Sequence, residues 1–214
     1  MSVRKLLGAL VAFVLLITGC TGEGSTTTVG SVGRTTTTGT TAPPTIVEPL
    51  TPDQFTAFVT DVGWTMIRRS PEDVTDLGLD RLVSEPVDDL TDLSPSRHAE
   101  TVAIASDALA RLDTLDTSLL EADEAITEIV LRWYLRDIVE MAPYRLHESP
   151  VSYITGVHAN FPEFMADIHP VDSSDNAEAY VARLHAAEDQ MRQVADNLTA
   201  ANRRGLIPTQ TGLN

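Results

Sequence analysis

LLEADEAITEIVLRWYLRDIVEMAPYRL, the stretch from Leu119 to Leu146, decides the fold class. Its apolar residues recur at helical spacing, not in strand alternation. Ile126, Ile129, Val130 and Trp133 fall on one side, and Leu131, Leu135, Ile138 and Ala142 on another. A helix apolar on more than one side is usually buried among other helices. The stretch is therefore expected to be the centre of a helical bundle, with Pro143 and Pro150 marking its end.

Working back from it, a break is expected around Asp113 to Thr117. Before the break, Ser94-Pro95 opens a helix with Val102, Ala105, Leu109 and Leu112 on one face. Asp80 to Leu93 is acidic and irregular, with Pro86 in its middle. Ser70-Pro71-Glu72-Asp73 is a helix start and Gly78 a stop. Thr51-Pro52-Asp53-Gln54 reads as a capped start. Phe55, Phe58, Val59, Val62 and Met66 then form one apolar stripe.

Working forward, Ser149 to Val171 is the least regular part, with Gly156, Pro162 and Pro170 and a short helix expected from Pro162 to Ile168. Asp175-Asn176-Ala177-Glu178 reads as a capping box. It opens a helix carrying Tyr180, Val181, Leu184, Met191, Val194, Leu198 and Ala201, which Gly205 ends and Pro208 forbids to continue. No segment alternates as a strand would. The expected class is all-α, an irregular helical bundle over residues 49–214.

The first 48 residues read differently. Arg4 and Lys5 precede an apolar run, Leu6 to Thr18, that is short of the roughly 20 residues a spanning helix needs. It has the length of a signal-peptide core. Ile17-Thr18-Gly19-Cys20 resembles the bacterial lipobox, which implies a signal peptide over 1–19 and lipidation of Cys20. Cys20 is the only cysteine, so no intrachain disulfide can form. Residues 20–48 are a threonine-, glycine- and proline-rich stretch with little to bury, expected to be a disordered tether. Such a tether reaches roughly 5–6 Å times the square root of its length. The expected location is the outer face of a bacterial cell membrane, with the membrane itself as partner through Cys20.

The whole chain has 214 residues and a formal charge of −16. Cleavage before Cys20 would remove Arg4 and Lys5 from 15 cations, leaving 13 against 31 acids, a charge of −18. That balance argues against nucleic acid as a partner and against attraction to anionic lipid. About 165 residues remain for the folded part, enough for one domain with its own core.

Several stretches resemble the amino-terminal part of the bacterial domain-of-unknown-function 885 family. They are Arg69-Ser70-Pro71-Glu72 through Leu77-Gly78-Leu79, Asp88-Asp89-Leu90 before Ser94, and the Gly156 segment with Phe161. Asp175 to Leu184 and Arg204-Gly205-Leu206-Ile207-Pro208 complete the set. Many members of that family are predicted lipoproteins; members are much longer than this chain and resemble zinc metallopeptidases of the gluzincin type. The resemblance implies that this chain is the helical amino-terminal portion of a larger family domain. It carries over no metal ligand, because no position here matches the family's metal-binding helix; zinc is implied for the longer relatives alone.

The residues themselves offer little catalytic patterning. A zinc hydrolase helix needs His-Glu-x-x-His; His147-Glu148 begins such a string, but position 151 is Val151. His185 and Glu188 are one helical turn apart and read most simply as a solvated face. His98, His158 and His169 are far apart in sequence. Asp88, Asp89 and Asp92 read as an acidic loop, and Trp64, Trp133 and Tyr134 as core. Arg183 is expected to pair with an acid on a neighbouring helix, and Arg203-Arg204 to sit in a last turn, where cations favour the helix dipole. Gly-x-Ser-x-Gly is absent. No catalytic residue, metal ligand or cofactor is expected in this chain. The expected function is a membrane-anchored relative of a hydrolase-like family, inactive alone, or else a non-catalytic lipoprotein that binds a protein, peptide or other ligand.

Overall fold

The computed structural model describes residues 48–82, 87–147, 150–152 and 156–206. The expected signal peptide, Cys20 and nearly all of the expected tether lie outside them. The described chain forms helices α1 (Pro52–Ile67), α2 (Pro71–Asp76), α3 (Pro95–Leu112), α4 (Ala122–Met141), α5 (Val157–Glu163) and α6 (Ser174–Arg203). Among the described residues there is no strand, only an isolated antiparallel bridge between Val151 and Gly156. The protein is all-α.

Local chemistry explains most of the boundaries. Gln54 Oε1 accepts the Thr51 N–H at 3.2 Å, and Ser94 Oγ accepts the Arg97 N–H at 3.2 Å. Pro52, Pro71 and Pro95 stand at first helical positions, where a missing N–H costs nothing. Two glycines in the left-handed region close helices in the same way. At Gly78 (φ 64°) the Leu79 N–H reaches the Val74 carbonyl at 2.8 Å and the Gly78 N–H reaches Thr75 at 2.9 Å. At Gly205 (φ 74°) the Leu206 N–H reaches Ala201 at 3.0 Å and the Gly205 N–H reaches Asn202 at 2.9 Å. Both are Schellman closures, which satisfy carbonyls the helix end would leave bare.

Three boundaries differ from expectation. The long helix is shorter at both ends, running Ala122–Met141 between 3₁₀ turns at Thr117–Leu119 and Ala142–Tyr144. Pro143 has no N–H to continue the ladder, so the chain tightens there. α5 begins at Val157, before Pro162, not at it. Pro162 cannot bond to the His158 carbonyl, and the next residues, Phe164–Ile168, wind as a π turn. α6 begins at Ser174, capped by Ser173, whose Oγ accepts the Asn176 N–H at 3.1 Å. The serine two residues upstream takes the cap that Asp175 was expected to hold.

The core is a three-helix packing of α1, α3 and α4. Phe55, Phe58, Val59, Val62 and Met66 meet Ala105, Ala108 and Leu112 and, from α4, Leu131 and Leu135, with Leu50 and Leu115 closing the ends. Burying each large side chain here contributes about 1.5–3 kcal/mol. The α1 stripe is buried as its spacing predicts.

α4 is not the centre of the bundle. Leu131 and Leu135 are 1% and 0% exposed, but Ile126 and Ile129 are each 64% exposed and Trp133 also faces out. One apolar face of the helix packs, and the other has no cover among the described residues. Trp133 is therefore not core, whereas Tyr134 packs partly against it.

α6 is turned relative to its expected register. Leu184 is 48% exposed, and its neighbour Arg183 is completely buried. The inward face carries Ala179, Arg183, Gln190, Val194 and Ala201. It packs on the extended segment before α3, whose backbone has no strand to pair with and must find other partners. Arg183 Nε donates to the Asp89 carbonyl at 3.0 Å, and its Nη2 to the Pro71 carbonyl at 3.2 Å and Thr75 Oγ1 at 2.9 Å. Its guanidinium lies 4.9 Å from the Phe164 ring centre. Gln190 donates to the Thr91 carbonyl and to Glu72, and Glu72 in turn accepts the Thr91 N–H. Gln193 accepts the Leu93 N–H at 2.6 Å, and Asn197 donates to the Leu93 carbonyl at 2.9 Å. The expected pairing of Arg183 with an acid is replaced, among the described residues, by backbone carbonyls and a hydroxyl.

Candidate functional site

The docking of α6 leaves a cleft of about 890 Å³ beside the end of this polar seam. The cleft is formed by Arg69 after α1, the segment before α3 with the start of α3, the turn after α4, the Gly156 corner and the last turns of α6. Each is placed by a feature already described. Ser94 caps α3 and sets Arg97 and His98 on its first turns. The proline-tightened turn after α4 presents Arg145, Leu146 and His147. Gly156, at φ 132°, lets the chain pass close to the Pro150 carbonyl; a Cβ there would stand 2.5 Å from that oxygen. α6 supplies Asn197, Leu198 and Ala201.

Three arginines line the cleft of this acidic protein: Arg69, Arg97 and Arg145. Arg69 is braced by Thr101 Oγ1 at 2.7 Å and the Arg97 carbonyl at 2.6 Å. Arg69 and Arg97 share one carboxylate, Glu100, at 3.4 and 3.3 Å. Arg145 donates to Asn197 Oδ1 at 2.8 Å and makes no ion pair among the described residues. Asp92 also lines the cleft, held by the Ser94 N–H and by Gln193.

His98 stands among these cations. Burial lowers its pKa from the usual histidine range and the Arg145 charge lowers it further, against a contribution from the Ala142 carbonyl. It is therefore held neutral at pH 7. His98 Nε2 and Arg97 Nε are both buried without a hydrogen-bond partner. The rest of the lining is largely apolar, from Leu93, Leu146, Pro150, Leu198, Ala201 and Leu206. A guanidinium presents a planar fork of donors that matches carboxylate and phosphate oxygens. The cleft is built to meet an oxyanion.

A smaller cavity of about 470 Å³ lies on the other side of Thr91, Leu93 and Asn160 and is lined by Glu72, Asp73, Asp76 and Glu163. Burial raises the Asp73 pKa, opposed by a hydrogen bond from Ser70 and aided by the charges of Glu72 and Asp76. Glu72 is spent on Thr91 and Gln190.

The histidines distribute as follows. His98 and His147, 49 positions apart, meet in the large cleft. His185 and Glu188 are exposed on α6, and Glu148 lies outside the described residues. His169 is buried between Phe164 and Tyr180, its Nδ1 donating to the Pro170 carbonyl at 2.8 Å. Among the described residues no three His, Cys, Asp or Glu side chains gather as a metal site would require. Cys20 lies outside them. Sequence reading singled out none of the cleft arginines as ligand-binding. Arg69 appeared only inside a family stretch, because Arg97 and Arg145, with which it shares the cleft, are 28 and 76 positions away.

Residues 71–214 match the family described as bacterial protein of unknown function (DUF885). The chain belongs to this family. The match takes in every helix from α2 onward, and with it all but Arg69 among the cleft's cations. No curated protein and no solved structure matches the chain. Among the described residues of this DUF885 protein, no helix is long and apolar enough to cross a membrane.

Proposed function

We propose that this DUF885 protein is lipid-anchored on the extracytoplasmic face of the cell membrane, that its arginine-lined cleft binds an anionic ligand, and that it performs no hydrolysis by itself. The observation that carries the binding reading is Arg145. It faces a cleft of about 890 Å³ with no carboxylate partner among the described residues, in a chain with 31 acids. A volume of that size is typical of small-molecule sites, which run roughly 300–1,000 Å³. The anchor reading is supported by the signal-like run and the lipobox resemblance ending at Cys20. In longer, metallopeptidase-like relatives the same region would form part of a substrate channel wall.

The test is binding of N-acetyl-leucine and of its neutral amide to the purified mature protein by calorimetry. The acid is expected to bind, the amide to bind at least about tenfold more weakly, and Arg145→Ala to abolish the difference. Equal binding of acid and amide would refute the anion site. Cys20→Ala is expected to move the protein from the membrane to the soluble fraction; retention would refute the lipid anchor. Incubation with zinc and mixed peptides is expected to release no fragments, and cleavage would refute the inactive reading.

A further inference from the structure

We infer that the ligand of this cleft is an amphiphilic oxyanion: one carboxylate or phosphate head joined to an apolar body of several carbons. This rests on the reading of the cleft as an anion site and adds what the rest of the ligand must be. The wall of the cleft carries both cations and apolar side chains. Arg69, Arg97 and His98 lie at the α1–α3 side, and Arg145 reaches toward them, since its charge acts on His98. Leu198, Ala201 and Leu206 from the end of α6 line the same cleft, together with Leu146 and Pro150, and Arg145 is bonded to their neighbour Asn197.

A small hydrated anion would use the arginines and leave the leucine wall facing water. A neutral apolar molecule would cover the leucines and leave Arg145 without a counter-charge while stripping it of water, which is costly. Only a molecule with both parts answers both kinds of lining. The cleft volume leaves room for the body as well as the head. The head is a planar or tetrahedral oxyanion because guanidinium groups donate in a fork. Two sources share this chemistry: acyl carboxylates and N-acyl amino acids on one side, phosphate monoesters of apolar alcohols on the other.

The experiment titrates the purified full mature protein with acetate, butyrate, hexanoate and octanoate, and with octyl phosphate and octanol. Affinity is expected to rise with each pair of methylenes, by up to about fourfold per methylene buried. Octanol is expected to bind at least about tenfold more weakly than octanoate. Octyl phosphate binding tighter than octanoate supports the inference and assigns the phosphate source; the reverse order assigns the carboxylate source. Acetate and octanoate binding alike would overturn the amphiphile while leaving the anion site standing. Octanol binding as tightly as octanoate would overturn both. Leu198→Ser tests the apolar wall separately: octanoate should weaken and acetate should not. If that variant fails to fold, the chain-length series on the unaltered protein still decides.

Discussion

Arg183→Met would remove the fully buried guanidinium that ties α6 to the segment before α3. Three hydrogen bonds go with it, to the carbonyls of Asp89 and Pro71 and to Thr75 Oγ1. Bonds to a charged donor are worth about 1.5–3 kcal/mol each, net. Against that, a buried charge is removed, and its desolvation costs several kcal/mol. Methionine also fills much of the same volume beside Phe164. The balance is a loss of about 2–4 kcal/mol. In a chain of this size that corresponds to a fall in Tm of roughly 4–16 °C. Arg183→Lys should be no better than methionine. Lysine keeps the buried charge but has no planar fork with which to reach Asp89 on one side and Thr75 on the other. Urea unfolding of the mature protein, followed by circular dichroism, measures both variants. A methionine variant within about 1 kcal/mol of the parent, or a lysine variant equal to it, would refute the view that this arginine fastens α6.

Other predictions follow from α4, Gly156 and the buried histidines. Leu135→Ala should cost about 2–5 kcal/mol, since the side chain is completely buried, while Ile129→Ser on the outer face of the same helix should stay within about 0.5 kcal/mol in the isolated protein; the same urea melts compare them, and equal losses would show that the outer face is covered. Gly156→Ala should lose about 1–3 kcal/mol and weaken ligand binding, because its φ of 132° is strained for alanine and the new Cβ would meet the Pro150 carbonyl; an unchanged melt would show that the corner relaxes freely. For His98 and His169, burial is the largest cause of a lowered pKa in the folded state, with Arg145 and Arg183 respectively adding repulsion. The unfolded chain therefore binds more protons than the folded one just below the ordinary histidine pKa of about 6.5. Stability should be complete above that value and fall as pH drops through it toward the folded pKa. His98→Gln with His169→Gln should flatten the dependence of the urea midpoint on pH between about 7.5 and 5.5, and an equally steep dependence in the double variant would refute the assignment.

Local signals were legible where they act over one or two turns. The α1 stripe is apolar at helical spacing and has one face, so its burial follows directly. Gly78 and Gly205 were readable as stops because a left-handed residue at a helix end is a property of a few consecutive residues. α4 and α6 misled for the same physical reason. Both carry apolar residues on more than one face, and spacing ranks faces by hydrophobicity without knowing what stands opposite. On α6 the neighbouring segment offers bare backbone carbonyls and N–H groups. The face with Arg183, Gln190, Gln193 and Asn197 can satisfy them, and the face with Val181 and Leu184 cannot.

The sequence by itself determined the all-α class, the family, the starts of α1, α2 and α3, the stops at Gly78 and Gly205, and the identity of the α1 core. The tertiary structure alone decided which side of α4 is buried and that the polar side of α6 faces inward. It also decided that Arg69, Arg97, His98 and Arg145 line one cleft. Capping and periodicity are written within a few consecutive residues. A cleft joins side chains far apart in the chain, with Arg69 and Arg145 76 positions apart, and their meeting depends on how whole helices dock.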